Sequence, residues 1–388
     1  MGLGFVLAGC MGIGGSGPGS DSVDAVLRGP WLAFTVLHGE GRDIYVVKRD
    51  GRGLRNVTRG RGKNIWPAWS PEGQRLAYAS NRDGNWEIYS MTLADLKETR
   101  MTKTPDREGA PAWSPIVTGG PCAPPSADAP MPPGPAQPLA KPEGCFGDRL
   151  AFLVGKEEEG EIYLMPVPSG SEQTRTRLTD LAGGKLAAAW SPDGKTIAFE
   201  SNATGHWEIY VIDVRCKRVD DRDEGLSPAS HIQNSASCIR RLTDTLADSE
   251  TPVWSPDGKR IAFESNRDGN WEIYLMSADG SHPIRLTHMA GAESNPTWSP
   301  DGTRVAFESI QQGKGEIYVV NVESQEMENL TNHPANDNTP QWSPDGKQIA
   351  FSSDRDGKNQ IYAMDSDGAR LTRLTQLQGE SKWPYWSP

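Results

Sequence analysis

The 388-residue sequence has no apolar run approaching the ~20 residues that a membrane-crossing helix needs, so no such helix is expected. Basic residues are in deficit. The 40 Lys and Arg stand against 51 Asp and Glu, a formal net charge of −11, which argues against a nucleic-acid backbone as partner. The signatures of common catalytic centres are missing too: there is no G-x-S-x-G nucleophile elbow, and the six His are scattered without an H-E-x-x-H or any close cluster. No cofactor is implied. Cysteine is sparse, at five residues.

Glycine and proline are plentiful instead, at 42 and 30 residues, as suits a chain that turns every few residues. The triplet W-S-P occurs seven times, beginning at Trp69, Trp113, Trp190, Trp254, Trp298, Trp342 and Trp386, with spacings of 44, 77, 64, 44, 44 and 44. A fixed period near 44 built from strand-like pieces is the mark of a propeller. In the unit Thr251 to His288, P-V-W-S reads as strand A and P-D-G as a tight turn; R-I-A-F-E-S is strand B, W-E-I-Y-L-M strand C and P-I-R-L-T strand D. One such meander cannot bury both its faces, so units must stack around an axis.

The chain ends decide the count. The strand B aromatic occurs seven times, from Phe34 to Phe351, yet the first B strand has no W-S-P before it and the last W-S-P has nothing after it. The sequence therefore predicts an all-β, seven-bladed propeller with four antiparallel strands per blade. Residues 384–388 serve as strand A of the N-terminal blade and close the ring, which removes two free sheet edges.

The string W-S-P-D-G-K-x-I-A-F-x-S-x-R-D-G-x-x-x-I-Y closely resembles the TolB-type, WD-like propeller repeat over roughly residues 29–388. The resemblance implies the fold and says little about activity, because such blades occur in envelope scaffold proteins, peptidase caps and some lyases. It implies envelope protein partners, and with no catalytic signature in the sequence the preferred reading is a monomeric, non-enzymatic binding or scaffold module. A glycan-binding or polysaccharide-processing propeller and a detached sensor module are the alternatives. TolB itself carries an α/β domain before its propeller, for which this chain has no room, so the Tol-system role is not carried over.

Residues 1–10 end in L-A-G-C, which resembles the lipobox of bacterial lipoproteins and makes Cys10 the expected acylated residue, although no Lys or Arg precedes it. Membrane contact is then expected through a lipid anchor alone, on the periplasmic side or outer surface. Residues 11–28 read as a flexible Gly/Ser tether to a propeller spanning 29–388. The two long spacings hold insertions at 116–148 and 215–239, in the A–B hairpin of blade three and the C–D hairpin of blade four. Cys122 and Cys145 bracket the first, Cys216 and Cys238 the second; of the three connectivities these four allow, the local pairs 122–145 and 216–238 are expected. Both insertions project from one face.

The opposite face is expected to carry the aromatic surplus. The seven Trp of W-S-P read as core anchors, and Trp86, Trp207 and Trp271 as packing between blades. Trp66 and Trp383, in W-P-A-W and W-P-Y-W, are predicted to stand together at the channel mouth, flanked by Lys63, Asn64 and Lys382, as a site for a peptide or a stacked sugar. His288 and His333 are weak metal candidates in nearly equivalent loops. Asp354-x-Asp356-Gly357 and Asp365-x-Asp367-Gly368 read as turns rather than calcium loops, and Glu200, Glu264 and Glu308, at one strand B position in blades four to six, as salt-bridge partners of nearby Arg.

Overall fold

A computed structural model describes residues 30–115, 149–155, 160–167, 175–215 and 238–388. These form seven four-stranded antiparallel sheets with no helix among the described residues. Six sheets run in chain order from the inner strand A to the outer strand D. The seventh has the order of the expected closure: Glu380–Trp386 pairs with Trp31–His38, which pairs with Gly41–Lys48 and then Arg55–Asn56. Leu32 faces Trp386 and Thr35 faces Lys382 across the junction, and Ser387 brackets Trp31 by donating its N–H to the Trp31 carbonyl (2.7 Å) and accepting the Trp31 N–H on Oγ (2.8 Å).

The core lies in the seams between blades. One cluster joins Ala198 and Ile209 of blade four to Ile261, Phe263 and Tyr274 of blade five, and another joins Phe34 and Trp386 of blade one to Ala350 and Ile361 of blade seven. Within each blade the strand B aromatic and the strand C Tyr are cross-strand partners, with centroids from 5.6 Å (Phe263–Tyr274) to 6.1 Å (Phe152–Tyr163). Six of the seven anchor tryptophans, all but Trp342, tie the seams with their polar edges. The indole N–H of Trp69 donates to the Tyr385 carbonyl (2.9 Å), Trp113 to Ala68 (3.2 Å), Trp190 to Ala112 (3.1 Å) and Trp386 to Gln341 (3.1 Å). Each bond reaches the residue just before the anchor Trp of the preceding blade, so the N- and C-terminal blades are stitched into the ring like the others.

One feature escaped the sequence reading. Three residues before every anchor Trp the backbone turns left-handed at a residue other than Gly, as at Trp66 (φ 56°), Thr251 (φ 49°), Asn295 (φ 55°) and Trp383 (φ 56°), and the A–B register shifts there. The visible signal is the x-P-x-W pattern, present in six of the seven blades. Proline has no N–H to give the ladder, so a bulge is where a strand accepts it. The Asp-Gly pairs behave as turns: Asp367 Oδ1 accepts the Ala369 N–H (3.0 Å), and Gly357 and Gly368 take φ of 92° and 79°.

Insertion 116–148 joins strands Glu108–Trp113 and Arg149–Val154, and the second insertion joins Glu208–Asp213 to Ile239–Arg241, so both leave from the same face. Cys10, Cys122, Cys145 and Cys216 lie outside the described residues. Cys238 is disulfide-bonded, and its partner lies outside them as well.

Candidate functional site

The face formed by the B–C and D–A connections carries five half-buried indoles: Trp66, Trp86, Trp207, Trp271 and Trp383. Three help to hold the next blade, because the carbonyls of Trp86, Trp207 and Trp271 accept the N–H of Glu108 (2.9 Å), Ser249 (2.7 Å) and Glu293 (2.9 Å). Trp66 and Trp383 share a bulge conformation but make no ring contact with each other among the described residues. Trp66 instead turns into the seam with blade three, its centroid 6.5 Å from that of Trp86 and its ring so close to Gly109 that a Cβ there would meet Cζ3 at 2.5 Å. The left-handed backbone aims the Trp66 indole along the seam.

Asn64 is not a rim residue, contrary to expectation. It is fully buried; Nδ2 donates to the carbonyls of Arg61 (3.1 Å), Gly62 and Arg42 (both 3.2 Å), while Oδ1 accepts from Arg82 (3.2 Å). Lys63 and Lys382 are half-buried and paired with Glu40 (3.1 Å) and Glu380 (2.8 Å). The equivalent position, five residues before the anchor Trp, is polar and buried throughout the ring and includes Glu108, Lys185, Glu293 and Asp337. Where the B–C turn supplies an Arg, that Arg satisfies it, as Arg355 does for Asp337 (2.9 Å). Lys185 is held by Glu161 (3.0 Å) and the Gly183 carbonyl (2.8 Å). Glu108 and Glu293 lack that Arg, and the Oε2 of each has no hydrogen-bond partner among the described residues. Burial pushes Glu108 up to about 7; burial, then the neighbouring Glu272 carboxyl, pushes Glu293 up to about 8.

Glu200, Glu264 and Glu308 are not in ion pairs among the described residues, which corrects the salt-bridge expectation. Strand B turns them towards the inner strand of the following blade, away from the Arg of the turns. Glu264 accepts from the Thr251 hydroxyl, and Glu308 from Asn295 Nδ2 (3.1 Å) and the Thr339 N–H (3.3 Å). Glu250, the cross-strand partner of Glu264, adds a fourth carboxylate. Burial and then repulsion by Glu250 and Glu308 push Glu264 up to about 8; burial pushes Glu308 and Glu250 up to about 7 and raises Glu200 well above its ordinary range.

His288 is exposed, and His333 is half-buried with its Nδ1 accepting the Ala335 N–H (3.1 Å). Among the described residues no group of three or more His, Cys, Asp or Glu could hold a metal ion. A further set of residues passed unnoticed in the sequence. The Glu of W-E-I-Y and the Arg and Thr of R-L-T form one buried brace: Glu87 accepts from Thr102 (2.7 Å) and Arg100 (2.9 Å), and Glu272 from Thr287 (2.7 Å) and Arg285. Their recurrence with the landmarks was the signal.

The TolB beta propeller domain profile matches residues 28–118 and 285–388, half of the chain. The Tol-Pal system protein TolB of Desulfosudis oleivorans is 36% identical over 87 residues, 22% of this chain and 19% of that protein. A protein TolB homolog of Chlorobium luteolum is 27% identical over 285 residues, 67% of this chain and 57% of the homolog. The chain thus spans at most 57% of the length of these curated relatives. Among solved structures, TolB from Acinetobacter baumannii aligns with a TM-score of 0.55 at 19% identity, covering 93% of this chain and 67% of the other. The oligogalacturonate lyase of Vibrio parahaemolyticus aligns with 0.56 at 14%, covering 90% and 85%. At such identities the structural likeness concerns the fold alone.

Proposed function

Because the chain belongs to the TolB β-propeller domain family, we propose that it is a non-enzymatic binding or scaffold module of the bacterial cell envelope, acting through protein–protein contacts. The observation that carries this reading is the set of five half-buried indoles on the B–C and D–A face. Tryptophans that keep part of a ring in solvent on a rigid scaffold supply binding energy at little entropic cost, which is how protein hot spots are built. Trp383, with Lys382 beside it, and Trp66 in the adjoining blade belong to this surface. The disulfide pairs 122–145 and 216–238 and a lipid anchor at Cys10 fit the same compartment and are part of the proposal.

Affinity capture from native envelope extract, read by mass spectrometry, tests it. The wild-type protein should enrich at least one envelope protein, and a Trp66→Ala/Trp383→Ala variant that still melts cooperatively should lose it. Equal enrichment by both proteins would remove this face from consideration. No enrichment by either, together with binding on a glycan array, would replace the scaffold reading with a sugar-binding one.

A further inference from the structure

Lys and Arg are outnumbered in the chain as a whole, yet residues 42–63 hold eight of them against two Asp. The eight sort into two groups. Four lie towards the C–D turn of blade one and are spent within the protein. Lys48 and Arg55 stand over the Trp31 ring at 5.3 and 5.5 Å, Arg49 donates to Asp345 and Gln348 of blade seven (both 2.6 Å), and Arg52 pairs with Asp50 (2.8 Å). The other four, Arg42, Arg59, Arg61 and Lys63, gather on the B–C and D–A face, where Arg42 and Lys63 are bridge partners. Arg42 and Arg59 have no ion pair among the described residues. The partners of Arg61 and Lys63 neutralise them only in part, because Glu98 is already held by Arg82 (2.7 Å) and Glu40 is 98% exposed.

The D–A loop that carries three of these cations is unlike the others in the ring. T-R-G-R-G-K-N at 58–64 has three cations and no acid, whereas the same stretch in blades four to seven has no Lys or Arg. Its backbone is pinned. Asn56 Oδ1 accepts the Arg59 N–H (2.7 Å), Asp43 Oδ1 the Gly60 N–H (2.9 Å) and Asn81 Oδ1 the Lys63 N–H (2.7 Å), while buried Asn64 donates to the Arg61 and Gly62 carbonyls. Arg59 is left-handed at φ 56°, and a Cβ at Gly62 would meet the Arg82 backbone at 2.8 Å. The loop thus presents its cations from a preorganised backbone that leads directly into Trp66.

We propose that this loop, with Arg42, docks an acidic segment of a partner protein, whose Asp or Glu carboxylates pair with Arg59 and Arg61 beside the Trp66 surface. This rests on the protein-binding reading given above and names the charge of the partner. Guanidinium groups take carboxylates bidentately. With a net charge of −11 the protein as a whole repels an acidic partner, so a single basic loop also fixes where and in which orientation that partner lands. A flat anionic bilayer is a poor match, because the same face exposes Asp83, Asp244, Asp268 and Asp356 in blades two, four, five and seven. An acidic segment engages one blade and avoids the rest.

The test is fluorescence anisotropy on the full chain with a labelled peptide of alternating Glu and Ser. Binding should weaken roughly tenfold between about 50 and 500 mM salt. Arg59→Asn/Arg61→Ser should weaken it about tenfold at low salt, and Asn tolerates the left-handed backbone at position 59. Lys195→Ser/Lys259→Ser removes the same charge from exposed turns of the opposite face and should change nothing. Equal weakening by the two variants, weakening by neither, or no peptide binding overturns the inference. Arg59-dependent sedimentation with phosphatidylglycerol vesicles overturns it as well, as does displacement of the peptide by oligogalacturonate at a lower carboxylate concentration, since each gives the loop to another anion. Failure of the broader reading is distinguishable: it shows as no envelope protein captured while the peptide still binds through Arg59. Capture that needs Trp66 and Trp383 but is unaffected by Arg59→Asn/Arg61→Ser sinks only the acidic segment.

Discussion

Deleting residues 383–388 is expected to destroy the cooperative melting of the whole ring rather than to fray one blade. The deletion removes Trp386, which is 9% exposed and packed with Leu32, Phe34 and Ala350 in the seam of blades one and seven. It also removes the carbonyl of Tyr385 to which Trp69 of blade two donates, and the two hydrogen bonds between Ser387 and Trp31. Truncating one buried Trp costs about 3–5 kcal/mol. The bared edge of Trp31–His38 and the opened seams on both sides come on top, against a total stability of about 5–15 kcal/mol for an ordinary domain. Calorimetry should show a Tm lowered by more than about 15 °C, or no transition at all, with Trp386→Ala falling between. A Tm unchanged by the deletion would mean that the ring does not depend on its last strand.

Acidification from pH 8.5 to 5.5 should stabilise the protein, opposite to the usual behaviour of an acidic chain rich in ion pairs. Glu250 and Glu308 sit near 7 and Glu264 and Glu293 near 8, against an ordinary glutamate near 4.3. Each of these carboxyls binds its proton more tightly folded than unfolded. Its contribution is fully present below about pH 4.5 and is lost as pH rises through 7 to 8. The lowered aspartates, such as Asp193, Asp257 and Asp301, which are held down by Ser and backbone N–H donors, act in the other direction but only below about pH 4. Each pH unit over which one buried glutamate is protonated in the native state alone is worth about 1.4 kcal/mol, so the Tm should rise by roughly 5–10 °C between pH 8.5 and 5.5.

Falling net charge acts the same way. The variant Glu264→Gln tests the buried charge itself, because it keeps an acceptor for Thr251 and removes both the cost of burying the carboxylate and its repulsion with Glu250 and Glu308. It should raise the Tm at pH 8.5 and leave it unchanged at pH 5.5; an equal shift at both would deny that a buried charge at Glu264 weakens the fold at high pH.

The architecture could be read from the sequence because every blade repeats the same landmarks, and the mismatch at the two ends dictated the closure. What the repeat could not show was direction at single residues. Adjacent blades put Trp66 and Trp383 on neighbouring inner strands, but a bulge with φ of 56° sets where each ring points, and that bulge was written only in the Pro after it. Charge posed a similar difficulty. Glu264 and Arg267 are three residues apart, yet strand geometry turns the Glu towards the next blade while Arg267 lies over Tyr274 at 4.7 Å. Position in the repeat gives the strand; which seam a side chain enters depends on alternation and register together.

The bond between Trp31 and Ser387 spans 356 residues of chain, and this bears on how the protein comes into being. A nascent polypeptide cannot finish its first blade until Glu380–Trp386 is made, and contacts so distant in sequence are slow to form. Through synthesis the chain is an unsealed array with loose sheet edges at both ends, prone to pairing with strangers and easy to pull straight. Sealing is then a single late event. Such a chain remains threadable through a narrow pore until Glu380–Trp386 emerges and pairs with the first blade.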